Sequence, residues 1–165
     1  MRRGEAIRFW LVIGVLLLLQ FAVRSRLGDE RIAPDFLLLA LLLYTIRSRP
    51  GPSAAAGFLV GLIGDALTPA SFGVGALAHT IVGYLSSWAK AVFFAENLLV
   101  NGGLFFAGTW LRNVILVVAS GKFSGLQLTW EVFVWSPLEG LTTAAAGVVI
   151  LVVFRQWLPI RLGES

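Results

Sequence analysis

The 165-residue sequence predicts an all-α polytopic membrane protein, folded as one compact bundle of about six transmembrane helices. Its residues are 58% hydrophobic and 13% charged, whereas about a quarter of the residues in a soluble domain are charged. Six apolar runs follow one another with short connections, so a single transmembrane domain over residues 1–165 is expected. The runs are 9–23, 32–46, 53–68, 72–88, 98–119 and 132–154.

The first apolar run follows a basic start and is interpreted as an uncleaved membrane span. A signal peptide has a similar positive region and apolar core, but its small-x-small cleavage site is missing here. Arg24 and Arg26 follow the run instead. The first four runs are shorter than the roughly 20 residues that a bilayer core requires. Flanking arginines such as Arg8 and Arg47 can extend them by reaching toward the headgroups.

In the second, third and fourth runs, the positions of polar and small residues predict a helix start and helix packing faces. Asp35 follows Pro34 at the start of the second run, where proline and an acid both suit a helix N-terminus. In the third and fourth runs, glycines stand four residues from a polar side chain, which is Asp65 in one and His79 in the other. Residues at this spacing share a helical face, and small residues let helices approach closely. The predicted packing glycines are Gly57, Gly61, Gly75 and Gly83.

The last two runs are joined by a longer connection. The fifth run contains Arg112, and the sixth contains Glu139 shortly after Pro137. Between them, residues 120–131 are predicted to lie along the membrane interface, with Trp130 as an anchor.

The distribution of basic residues predicts that both termini are cytoplasmic. Six spans place the termini on one side, and that side carries eight basic residues against four on the other. The eight are Arg2, Arg3, Arg8, Arg47, Arg49, Lys90, Arg155 and Arg161, and the four are Arg24, Arg26, Arg31 and Lys122. Basic residues favour the cytoplasmic side.

Under this threading, five ionisable residues fall in the outer half of the bundle and form a predicted polar layer. They are Asp35, Asp65, His79, Arg112 and Glu139. A charge within hydrocarbon costs about 2.5–3.5 kcal/mol on insertion scales, so a co-located set predicts an organised interior. Because Arg112 keeps its charge, we expect it to pair with at least one of the three acids.

Each of the other four residues has two interpretations. Asp35 is either a helix cap or a functional residue. Asp65 is favoured as a hydrogen-bonded or ion-paired acid at a close helix contact, with ligand contact as the alternative. His79 is favoured as an interhelical hydrogen-bonding residue, with proton relay as the alternative. Glu139 either caps the start of the sixth helix or belongs to the polar layer.

Composition and motifs favour no catalytic or cofactor chemistry. The sequence has no cysteine and one histidine, which excludes thiol catalysis, cysteine metal sites and histidine clusters within the chain. It shows no nucleotide-binding glycine loop and no serine-hydrolase pattern. We therefore expect a protein that is not an enzyme, with no cofactor and no metal. The basic residues flank apolar runs, which indicates membrane topology and not nucleic-acid binding.

Four short segments follow one another within residues 32–88. They are Pro34-Asp-Phe-Leu-Leu-Leu, then Gly57-Phe-Leu-Val-Gly-Leu-Ile-Gly-Asp65, then Gly73-Val-Gly-Ala-Leu and Thr80-Ile-Val-Gly-Tyr-Leu85. Their order resembles the MreD family of rod shape-determining proteins. Asp35, Gly57, Gly61, Asp65, Gly73 and Gly83 match as motif positions only.

The resemblance implies a non-enzymatic scaffold of the cell-elongation machinery in the bacterial inner membrane. It implies direct binding to MreC and, through MreC, association with MreB, RodA and a penicillin-binding transpeptidase in organising peptidoglycan synthesis. The family is also similar in fold to the substrate-binding subunits of energy-coupling-factor transporters. That similarity supplies the alternative function, capture of a vitamin-type small molecule in a pocket in the outer half.

Overall fold

The computed structural model describes residues 3–22, 31–67, 72–92 and 97–154, and these residues form six helices joined by turns. The helices are α1 (Arg3–Ala22), α2 (Phe36–Thr45), α3 (Pro50–Leu67), α4 (Val74–Val92), α5 (Leu98–Ser120) and α6 (Leu126–Val153). The described part contains no strand, which confirms the all-α class. Several predicted features lie outside the described residues: the span ends at Val23 and Thr68, and the basic residues Arg2, Arg24, Arg26, Arg155 and Arg161.

Two of the described helices, α5 and α6, are long and apolar enough to cross a membrane. Residues Ala6–Ala22 of α1 and the whole of α2 are apolar but shorter. Large apolar side chains are exposed on the outside of the bundle, including Trp10, Leu18 and Leu99. These features fit a membrane bundle, while the number of spans remains a prediction.

The short helix α2 forms the centre of the bundle. It has ten residues, nine of them buried, and it packs against all five other helices. At 1.5 Å per residue it is about 15 Å long, half the roughly 30 Å thickness of a bilayer core. The helix is therefore shorter than the apolar run over residues 32–46. The helix begins only after Asp35, whose side chain caps it.

Side chains from other helices bind the backbone at both ends of α2. At its N-terminus, Oε1 of Gln20 on α1 accepts hydrogen bonds from the N–H groups of Phe36 (3.0 Å) and Leu37 (3.3 Å). Beyond its C-terminus, Nζ of Lys90 donates to the carbonyl oxygens of Ile46 (2.5 Å) and Ser48 (3.0 Å). Helix ends lack internal partners and are costly in hydrocarbon, so these contacts allow a short helix to end inside the bundle.

Helices α3 and α4 form a hairpin in which backbone meets backbone. A Cβ atom added at Gly57 would collide with the carbonyl group of His79, and one at Gly61 would collide with the backbone of Ala76. From the other side, a Cβ at Gly83 would lie 2.5 Å from the carbonyl oxygen of Ser53. Three of the four predicted packing glycines thus lie where only glycine fits between the two backbones.

Helices α5 and α6 make a different contact, in which glycines accommodate aromatic rings. A Cβ at Gly140 would lie 3.0 Å from the ring of Phe106, and Gly147 faces the ring of Phe105. Phe105 is 1% exposed and belongs to the main apolar core. The α5–α6 contact is therefore built from side chains, and it brings Arg112 and Glu139 to the N-terminal end of α2.

Candidate functional site

Arg112 on α5 joins carboxylates from two other parts of the bundle. Its Nη2 lies 3.1 Å from Oδ2 of Asp35, and its Nη1 lies 3.9 Å from Oε1 of Glu139 on α6. Asn113 completes the cluster, since its Oδ1 accepts from Arg112 Nη1 (2.7 Å) and its Nδ2 donates to Glu139 Oε2 (2.7 Å). We call Asp35, Arg112, Asn113 and Glu139 the Arg112 network.

The Arg112 network is largely shielded from solvent. The side chains of Asp35 and Glu139 are 2% and 9% exposed, and that of Arg112 is 17% exposed. A buried charge is tolerated when it is paired and hydrogen-bonded. Asp35 meets both conditions, because its Oδ1 also accepts from the N–H of Leu38 (3.0 Å) at the start of α2. Asp35 therefore caps α2, which is one of its two predicted interpretations, and it also pairs with a cation.

Glu139 and Asp65 differ from the expected arrangements in one respect each. Glu139 does not cap a helix start, since α6 begins thirteen residues earlier, at Leu126. The chain therefore passes Pro137 within a continuous helix. Arg112 pairs with Asp35 and Glu139, but no hydrogen bond or ion pair joins it to Asp65 in the described part of the chain.

Asp65 is bound entirely by backbone. Its Oδ2 accepts from the N–H groups of Gly73 (2.8 Å) and Ala76 (2.9 Å), and its Oδ1 accepts from Gly75 N–H (3.0 Å). These donors are at the N-terminus of α4, where the helix dipole favours an anion. Gly73 has φ of +93°, a conformation that favours glycine. Gly75, the fourth packing glycine, faces the carboxylate itself, so Asp65 joins the two helices of the hairpin.

His79 forms a hydrogen bond within its own helix and not with an acid. Its Nδ1 is 2.8 Å from the carbonyl oxygen of Gly75, one turn earlier in α4, so the expected interhelical hydrogen bond was wrong. The Nε2 atom is buried without a hydrogen-bond partner among the described residues. The residue is 4% exposed.

A π-helical turn at Glu131–Trp135 interrupts α6 beside the Arg112 network. Two side chains bind carbonyl groups of this turn. Ser136 Oγ donates to the Glu131 carbonyl oxygen (2.7 Å), and Trp110 Nε1 on α5 donates to that of Val132 (3.0 Å). Sequence reasoning missed this turn, and it also placed the helix start several residues too late.

A cleft of about 150 Å³ opens between the π-helical turn and the end of α5. We call it the Trp135 cleft. It is lined by Arg31, Asn113, Leu116, Val117, Glu131, Trp135, Ser136 and Glu139. The cleft shares Asn113 and Glu139 with the Arg112 network, so the network forms its inner wall. Arg31, Glu131 and Trp135 had carried no functional prediction.

The Arg112 network can bind and orient charged groups. No nucleophile is paired with a base in the Arg112 network, whose members hold one another. Among the described residues, no group of three or more His, Asp or Glu side chains is placed to hold a metal ion. The chemistry of the site is electrostatic, with one guanidinium holding two carboxylates at the meeting point of α2, α5 and α6.

Comparison with known proteins identifies one family. The family model described as rod shape-determining protein MreD matches residues 1–159 of the chain. No curated protein and no solved structure matches the chain.

Proposed function

Because the chain belongs to the MreD family of rod shape-determining proteins, we propose that it is a non-enzymatic scaffold of the cell-elongation machinery in the bacterial inner membrane. In this proposal it binds MreC directly. Through MreC it associates with MreB, RodA and a penicillin-binding transpeptidase, and so helps to organise peptidoglycan synthesis. The carrying observation is the extent of the family match, which includes every described helix.

The outer surface of the bundle supports a scaffold role. Exposed apolar side chains occur on helices throughout the bundle, for example Phe58 on α3, Trp88 on α4 and Leu141 on α6. In lipid, helices associate through close packing and interhelical hydrogen bonds. A bundle with an apolar exterior and a fixed interior is suited to hold the single span of a partner.

The Arg112 network supports the same role from the inside. It connects the start of α2 to α5 and α6, and the N–H of Asp35 also donates to Thr143 Oγ1 on α6 (3.1 Å). We propose that these bonds order one end of the bundle and thereby shape the surface that meets MreC. With cytoplasmic termini, as the basic residues predict, this end is periplasmic.

The transporter-type alternative finds no support in the Trp135 cleft. Its volume of about 150 Å³ is below the roughly 300–1,000 Å³ of typical small-molecule pockets. A vitamin-sized ligand would not fit this cleft, so we retain the scaffold as the proposed function.

Co-purification tests the proposal directly. A tagged version of this chain would be co-expressed with MreC from the same organism, extracted in mild detergent and passed through size exclusion. We expect a stoichiometric complex that survives the column. A matched control is MreC with its membrane span replaced by an unrelated span of equal length, which should weaken or abolish the complex if the spans carry the contact.

Cell shape supplies the second readout. Depleting the protein in its own organism should convert rods to rounded cells, and the unaltered gene should restore rods. If folded MreC does not associate and depletion leaves rods unchanged, the scaffold proposal is wrong.

A further inference from the structure

The Trp135 cleft has the side chains of a cation site, and the positively charged Arg31 lies at its mouth. Glu131 and Glu139 supply two carboxylates to its lining. Trp135 supplies an aromatic ring beside them. Apart from Arg31, the ionisable residues that line the cleft are acidic. Carboxylate groups and an aromatic face both attract organic cations.

The π-helical turn brings the two glutamates to one face of α6. In a regular α-helix with about 3.6 residues per turn, positions eight apart differ in direction by about 80°. The wider π turn rotates less per residue and removes most of that offset. Glu131 and Glu139 therefore both line the cleft. Because Ser136 and Trp110 bind the carbonyl groups of this turn, the geometry is built into the fold.

Arg31 already shows what kind of group this place accepts. Its guanidinium carbon lies 5.4 Å from the centre of the Trp135 ring, and its Nη1 lies 3.7 Å from Glu131 Oε1. The Arg31 side chain is 56% exposed, and exposed ion pairs are worth only about 0–1 kcal/mol. An anion at the mouth of the cleft would meet the exposed guanidinium of Arg31, and a second cation would meet Glu131 and Glu139.

The cleft lies at the level where lipid headgroups are found. Asn113 and Val117 line it, and they precede the last residue of α5, Ser120, by about 10 Å and 5 Å along the helix. The end of a membrane-spanning helix lies near the boundary between hydrocarbon and headgroups. Beside the cleft, Phe133 is 68% exposed and Trp130 is 58% exposed, which gives acyl chains an apolar surface.

We propose that the Trp135 cleft binds a phosphoethanolamine headgroup, supplied by phosphatidylethanolamine of the surrounding membrane. The primary ammonium donates hydrogen bonds to Glu131 and Glu139, and the phosphate lies at the mouth against Arg31. A cavity of about 150 Å³ is the size that admits a benzene molecule in an apolar core, so it admits the aminoethyl end. A choline headgroup has no N–H group and so donates no hydrogen bond to either carboxylate. This inference does not depend on the proposed scaffold function.

Lipid-dependent stability and native mass spectrometry test this site. The purified full chain would be placed in phosphatidylcholine nanodiscs with increasing phosphatidylethanolamine, or with phosphatidylglycerol as the anionic control. We expect a saturable rise in melting temperature with added phosphatidylethanolamine but not with added phosphatidylglycerol. The mass spectrum should show one retained phosphatidylethanolamine molecule. Soluble phosphoethanolamine forms a separate arm. An equal saturable shift there would support the headgroup chemistry and assign the ligand to a soluble source.

Three variants test which side chains of the cleft are responsible. Glu131→Gln removes one carboxylate of the cleft and leaves the Arg112 network intact, and we expect about tenfold weaker phosphatidylethanolamine binding, equal to about 1.4 kcal/mol. Arg31→Gln should also weaken binding, whereas Arg31→Lys should retain most of it. Melting temperatures in pure phosphatidylcholine should match that of the unaltered protein. Equal stabilisation by both lipids, or undiminished selectivity in Glu131→Gln and Arg31→Gln, would overturn the proposal.

Discussion

The α3–α4 hairpin and the α5–α6 pair each bury a carboxylate where two helices meet, but the carboxylates have different partners. In the hairpin, Asp65 accepts three backbone N–H groups, and glycines bring the two backbones together. In the α5–α6 pair, Glu139 is held by the side chains of Arg112 and Asn113, and the glycines make room for phenyl rings.

The difference separates a fixed region from an adaptable one. Backbone donors at a helix N-terminus cannot move without breaking the helix, so the α3–α4 contact has one arrangement. At the mouth of the Trp135 cleft, the Arg31 side chain is 56% exposed, and exposed ion pairs contribute little to stability, so this side of the bundle can respond to a ligand or partner. We therefore expect the hairpin to act as a support and the α5–α6 side to carry recognition.

Removing the cation should produce the largest effect. Arg112→Leu leaves Asp35 and Glu139 buried without their guanidinium partner, and breaking a buried ion pair in this way costs about 3–5 kcal/mol. The free energy of unfolding in detergent, followed by tryptophan fluorescence during denaturant titration, measures the loss.

A second substitution at Asp35 tests whether the loss is electrostatic. Asparagine can still cap a helix, so Arg112→Leu combined with Asp35→Asn should recover at least about 1 kcal/mol, a coupling expected only of neighbouring residues. If the two losses simply add, Arg112 contributes packing alone and the comparison with the hairpin fails.

Neutralising the acid of the hairpin should have a smaller effect. Asp65→Asn keeps the shape, but its amide nitrogen cannot accept a hydrogen bond and leaves at least one N–H of α4 unsatisfied, at a cost of about 1–3 kcal/mol. Asp65 shares no bond with Arg112, so this loss should be additive with Arg112→Leu. Strong coupling between the two positions would show that the hairpin and the network form one electrostatic unit.

A single methyl group should distinguish close backbone contact from open surface. Alanine favours a helix over glycine by about 1 kcal/mol, so Gly14→Ala on α1, with nothing within 4 Å, should stabilise the protein. Gly61→Ala drives a Cβ into the backbone of Ala76, and overpacking of this kind costs about 1–3 kcal/mol. The two substitutions should therefore have opposite signs in the same unfolding assay. A stabilising Gly61→Ala would mean that the hairpin can separate freely.

Sequence reasoning predicted more of the α3–α4 hairpin than of the α5–α6 pair, for a physical reason. Four-residue spacing of Gly57 and Gly61 before Asp65 reports directly which residues share a face, because that face is a local property of one helix. The partners of Arg112 depend on where α2 begins within the bundle, and several acids met the same criterion. The Pro34–Asp35 pair marked the true start of α2, but the apolar run around it suggested a longer helix.

Other features gave no sequence signal that our criteria could detect. The π-helical turn at Glu131–Trp135 lies in an ordinary aromatic and β-branched stretch, and one of its carbonyl groups is bound by Trp110 from another helix. Lys90 was counted as a topology marker, whereas it also binds carbonyl groups beyond the C-terminus of α2. Both depend on contacts between distant segments, which spacing along one helix does not report.

The smallest predicted effect concerns the support of the π-helical turn. Trp110→Phe keeps an aromatic ring and removes the N–H that binds the Val132 carbonyl, a hydrogen bond worth about 1 kcal/mol. Trp88→Phe, at a side chain that is 56% exposed, is the matched control and should leave stability within about 0.5 kcal/mol of the unaltered protein. If the α5–α6 side is the adaptable region, Trp110→Phe should also reduce the phosphatidylethanolamine shift, because the turn aligns Glu131 with Glu139. A loss of stability with an unchanged lipid shift would mean that the turn holds its shape without Trp110, and that its geometry is set within α6.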